Sequence, residues 1–93
     1  MAVKFVLLGT LRQLSGDARE VEARGATLRE ALEALRDAYP TLGDSICDEH
    51  GKLREFINVF VEGREVRGLS GIGTRLRDGA MIVVAPSVAG GAD

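Results

Sequence analysis

The chain has 93 residues, 45% of them apolar and 28% charged, with a net charge of −2 from 12 basic and 14 acidic side chains; this suits one globular domain and is too short for two. Its longest apolar runs, 5–8 and 80–86, fall far short of the roughly 20 residues that cross a bilayer, and the start lacks the basic, apolar and small-residue order of a secretory signal, so a cytoplasmic protein is expected. No block of like charge and no aromatic platform marks a nucleic-acid surface.

Residues 3–8 predict a first strand, with Val3, Phe5 and Leu7 on one face and Lys4, Val6 and Leu8 on the other. Ser15, Gly16 and Asp17 form a turn signal, and 19–23 alternates around an inward Val21, so the two segments predict a β-hairpin. Thr27 stands three residues before Glu30, the spacing of a capping box. Leu28, Ala31, Leu32, Leu35 and Tyr39 then form one apolar stripe at helical spacing, with Arg29, Glu33, Arg36 and Asp37 opposite. Pro40 ends the pattern, because the residue before a proline disfavours helical geometry.

Residues 41–52 are polar and weakly patterned, with room for one short helical turn. Cys47 is the only cysteine and His50 the only histidine. Neither an intrachain disulfide nor a Cys-based zinc site can form. A catalytic triad needs a nucleophile, a base and an orienting group, and these two residues in a polar loop do not supply it. Cys47 is expected to be a small, partly buried side chain, and Asp48, Glu49 and His50 a solvated loop; no metal site and no catalytic residue is expected.

Residues 57–61 predict the next strand, with Ile57, Val59 and Val61 on one face and Asn58 and Phe60 on the other. Glu62-Gly63 turns the chain into a short return strand, 64–66. Gly68, Gly71 and Gly73 lie in a loop without the Gly-Lys-Ser/Thr of a phosphate-binding loop, and Leu76 is expected to anchor that loop in the core. Asp78-Gly79 leads into a last strand, 80–85, which Pro86 ends.

Strand, strand, helix, strand, short strand, strand, with one main helix on one face of a mixed sheet, is the ubiquitin-like β-grasp arrangement, an α+β fold. The expected organisation is a domain over 1–86 and a flexible tail over 87–93. If the helix covers the face of Val3, Phe5 and Ile57, the other face holds Val6, Leu8, Phe60, Met81, Val83 and Ala85, an apolar patch fit for a partner. Residues 87–93 read Ser-Val-Ala-Gly-Gly-Ala-Asp. Extended, 86–91 spans roughly 20 Å, and Gly90-Gly91 allows the backbone through a narrow channel.

The segment Lys-Leu-Arg-Glu-Phe-Ile-Asn-Val-Phe-Val at 52–61, the Val66-Arg67 step, the Gly-rich loop, Asp78-Gly79 and the ending Pro-Ser-Val-Ala-Gly-Gly at 86–91 resemble the MoaD/ThiS sulfur carriers, and within them the CysO type. The resemblance implies a carrier that acts as a co-substrate of partner enzymes and binds no cofactor itself. An activating enzyme of the ubiquitin-activating type would use ATP to adenylate Gly91, and a sulfur donor would convert it to a thiocarboxylate. Gly90 and Gly91 would be recognised in the partner's channel. Leu8, Phe60, Met81, Val83 and Ala85 would form the partner interface. In the CysO type, a PLP-dependent cysteine synthase accepts the sulfur. Family members mostly end at the second glycine; here Ala92-Asp93 follows, so cleavage between Gly91 and Ala92 by a JAMM-type metalloprotease is expected. A small subunit of molybdopterin synthase and a ubiquitin-like protein modifier stand as alternatives.

Overall fold

In the computed structural model, which describes residues 2–86, the first alternating segment forms β1 (Ala2–Leu7), with Val3, Phe5 and Leu7 buried. It pairs antiparallel with β2 (Glu20–Arg24), Phe5 opposite Val21. The strands pair as a hairpin would, but no tight turn joins them. Gly9–Ser15 forms a 3-10 helix that buries Leu11 and Ser15 and ends on Gly16 in the left-handed conformation. Apolar Leu11 is what draws this connection inward, since a bare turn would leave it in water.

Helix α1 (Leu28–Ala38) begins at the predicted cap. The Thr27 hydroxyl accepts from the Glu30 N–H at 3.3 Å, and the Glu30 carboxylate accepts from the Ala26 N–H at 2.8 Å. Each side chain thereby satisfies one backbone N–H at the start of the helix. Thr27→Ala is expected to destabilise the domain by about 1 kcal/mol, read as a lower midpoint in urea at unchanged m-value. Leu28, Ala31, Leu32 and Leu35 are buried.

Tyr39 caps α1 through its N–H to the Leu35 carbonyl at 2.8 Å, and Pro40 does stop that helix. It also starts another. The stretch read as weakly patterned opens with α2 (Pro40–Ile46), whose Leu42, Gly43 and Ile46 are buried. Pro40 occupies the first turn, where its missing N–H costs nothing. A Cβ on Gly43 would stand 2.6 Å from the Cβ of Arg36, so the absent side chain is what lets α2 lie against α1.

β3 (Ile57–Val61) has the predicted bounds, and Ile57, Val59 and Val61 are buried. Glu62 and Gly63 both have positive φ, 50° and 84°, the signature of a hairpin turn that matches strand twist. The return strand β4 is only Arg64–Glu65. Val66 leaves it for a short 3-10 turn, Val66–Gly68, because its side chain is wholly buried. A second such turn, Gly71–Gly73, follows. Leu76 anchors the loop as expected: it is buried, and its N–H donates to the Ala26 carbonyl at 2.9 Å.

β5 (Met81–Pro86) enters the middle of the sheet, giving the order β2-β1-β5-β3-β4. It runs parallel to β1 and antiparallel to β3. One face carries Val3, Phe5, Leu7, Ile57, Val59, Val61, Ile82 and Val84 into a single core shared with both helices. This is the ubiquitin-like β-grasp. Among the described residues, no helix is long and apolar enough to cross a membrane.

Candidate functional site

With both helices on one face, the other face of the sheet remains open. Strand register puts its side chains in rows. In the central row, Val6 of β1 pairs with Val83 of β5, and Val83 with Phe60 of β3. Glu20 of β2 flanks Val6, and Glu65 of β4 flanks Phe60. One row toward the start of β5, Met81 pairs with Lys4; one row toward its end, Ala85 pairs with Asn58. Leu8 follows β1 directly, with its N–H bonded to the Val84 carbonyl at 3.0 Å.

The face therefore has an apolar centre and a charged rim. Leu8 is 42% exposed and Met81 44%, while Val6, Phe60, Val83 and Ala85 are partly buried by one another. Around them Lys4 pairs with Glu20 at 3.4 Å, Arg77 with Glu62 at 3.6 Å and Arg67 with Glu65 at 3.2 Å. Arg67 also donates to the Arg54 carbonyl at 2.9 Å and reaches Asn58 at 3.5 Å. Its guanidinium thus stands beside the Asn58–Ala85 pair, near the end of β5. An apolar centre with a polar rim is the anatomy of a protein-binding patch. All five residues expected to form an interface, Leu8, Phe60, Met81, Val83 and Ala85, lie on this one surface.

Phe56 belongs with them and was not anticipated. It is 51% exposed and directly precedes Ile57, the residue opposite Pro86. A lone aromatic just before a strand carries no periodic signal; only the pairing of β3 with β5 brings it to the end of the sheet from which 87–93 continue.

Away from this face, Cys47, Glu49 and His50 line one pocket beside α1, with Arg29, Glu33 and Arg36. Cys47 is buried, and that burial, followed by the Asp48 charge, pushes its thiol pKa up and keeps it a thiol. The Asp48 carboxylate accepts the N–H groups of Lys52 and His50, which hold its pKa below the ordinary value, the Lys52 bond contributing most. His50 is exposed beside Glu49. Among the described residues, no group of three or more His, Cys, Asp or Glu side chains could hold a metal ion. Gly90, Gly91 and Ala92, expected to carry activation and processing, lie outside the described residues.

The chain is also similar to known proteins. A ThiS family profile matches residues 5–91. The sulfur carrier protein CysO of Mycobacterium tuberculosis is 34% identical over 83 residues, 87% of this chain and 89% of its own. Small archaeal modifier protein 3 of Haloferax volcanii is 38% identical over 66 residues, 71% of each chain. A chain from the crystal structure of the Amycolatopsis orientalis BexX/CysO complex superposes with a TM-score of 0.86 at 31% identity, covering 94% of this chain and 97% of that one.

Proposed function

The chain belongs to the ThiS family of sulfur carrier proteins, and from that premise we propose that it carries sulfur as a thiocarboxylate on Gly91. The observation that carries this reading is the extent of the family match, which runs from Phe5 in β1 through β5 and ends on Gly91.

The chemistry follows from the weakness of a carboxylate as an electrophile. Its carbonyl carbon accepts a nucleophile only when one oxygen becomes a good leaving group. The Gly91 carboxylate attacks the α-phosphorus of ATP on an activating enzyme, and pyrophosphate departs. A sulfur nucleophile then attacks the acyl carbon, and AMP departs with the C–O electron pair. With hydrosulfide as that nucleophile, loss of the S–H proton leaves the thiocarboxylate. The groups that activate and deliver belong to partners. The carrier contributes an unhindered terminus and a surface by which it is held, and here that surface is the open sheet face around Val83 and Phe60.

Gly91 bears no free carboxylate while Ala92-Asp93 is attached. Removal of those two residues, by a metalloprotease of the JAMM type, therefore precedes activation. The likeness to CysO favours a PLP-dependent cysteine synthase as the sulfur acceptor.

Mass spectrometry tests the reading. Protein ending at Gly91, incubated with ATP, a sulfide source and the activating enzyme of its host, gains the mass difference of one oxygen exchanged for sulfur. The untrimmed chain does not change. Absence of both adenylate and sulfur on the shortened protein would sink the proposal.

The likeness to small archaeal modifier protein 3 supports a second use of the same activated terminus, amide formation with lysines of other proteins. A ladder of heavier conjugates in host extracts, in place of a single thiocarboxylated species, would favour it.

A further inference from the structure

At the edge of the open face, β1 gives way to Gly9, whose φ is +61°. Left-handed backbone of this kind is adopted freely by glycine and otherwise chiefly by asparagine or aspartate. Gly9 has a second constraint that conformation does not explain. A Cβ built on it would stand 3.1 Å from Cγ and 3.4 Å from Cδ of Pro86. The Cα of Gly9 is thus the surface on which the Pro86 ring rests. On its other side Pro86 is paired with Ile57 of β3. The strand before it is fixed by the Leu8 N–H to the Val84 carbonyl. Pro86 adds its own restriction, since its ring locks φ and removes the N–H.

We propose that Gly9 and Pro86 act as a positioning pair that sets the direction in which the terminal segment leaves the sheet toward the activating enzyme. The proposal rests on the reading of Gly91 as the activated residue. A partner that covers the sheet face and also grips the terminus has to meet both with only Ser87, Val88, Ala89 and Gly90 between Pro86 and Gly91. At no more than about 3.3 Å per residue, so few residues leave the partner little slack, and a shift at their root has to be absorbed before the end reaches the reacting centre. A misplacement of about 1 Å at the reacting carboxylate can cost about 100-fold in rate. A residue with no side chain beside a ring with no freedom is an economical way to hold the angle.

Substitution separates contact from backbone strain. Gly9→Asn keeps a residue suited to positive φ and places a Cβ against the ring. Pro86→Ala removes Cγ and Cδ, the two atoms that Cβ would meet. In protein ending at Gly91, Gly9→Asn is expected to lower kcat for ATP–pyrophosphate exchange by about tenfold or more, while affinity for the activating enzyme stays within about twofold because the sheet face is intact. Pro86→Ala alone, which takes away the ring that rests on Gly9, is expected to lower kcat as well, and adding it to Gly9→Asn to cost little more, a non-additive pair. Normal exchange by either single variant overturns the proposal, as do losses that simply multiply in the double variant. If the unsubstituted protein shows no exchange, the functional reading itself fails and takes this pair with it.

Discussion

Phe60→Asp, in protein ending at Gly91, is expected to remain folded and to bind its activating enzyme at least roughly 30-fold more weakly, about 2 kcal/mol of binding free energy. Phe60 lies on the open face between Val83 and Glu65 and contributes nothing to the core beneath the helices. Its loss therefore removes little of what holds the domain together. A partner covering the apolar row has to strip water from whatever stands at its centre. A carboxylate there would be desolvated without a counter-charge, and Glu65 beside it repels it further. The control is Phe60→Leu, which keeps an apolar surface and should bind within a few fold of the unsubstituted protein. Titration calorimetry reads the affinity, and a thermal melt reads the fold. Equal affinity for the Asp and Leu variants would remove the sheet face from the interface.

Phe5→Ala is expected to act in the opposite sense, on the fold and not on the face. Phe5 is fully buried in the centre of β1, opposite Val21 on one side and Ile82 on the other. Removing a buried phenyl ring loses its transfer free energy and leaves a void, together about 3–5 kcal/mol. Domains of this size have only about 5–15 kcal/mol in hand, so the variant should unfold at far lower urea and be partly unfolded at elevated temperature. Equilibrium unfolding by circular dichroism measures it. A loss below about 1 kcal/mol would mean that the core closes around the vacancy, against the tight packing inferred for this sheet.

Much of this was legible from pattern alone, for reasons that particular residues make plain. Alternation along 3–7 and 57–61 separated the buried from the open face, because a strand cannot place neighbours on the same side. Thr27 and Glu30 announced the start of α1 through the hydrogen bonds they make. α2 is legible only as room for one short helical turn, because one of its contacts is made by the missing side chain of Gly43, and a glycine gives no apolar signal. Residues 9–15 were passed over for a similar reason, since a 3-10 turn has no amphipathic period to detect. Phe56 and the Gly9–Pro86 contact exist only once β5 has entered the sheet, so no local reading could reach them. The role of Gly91 came from likeness to a family; two glycines near a terminus would not have disclosed it.

The strand that comes last in the chain lies between the first and third. Until β5 has been synthesised and inserted, β2-β1 and β3-β4 remain two fragments with no hydrogen-bonded seam, and Val83 is missing from the row that joins Val6 to Phe60. A nascent or truncated chain that lacks β5 therefore has no assembled open face. The open face is thus complete only in molecules whose last strand has been made and inserted.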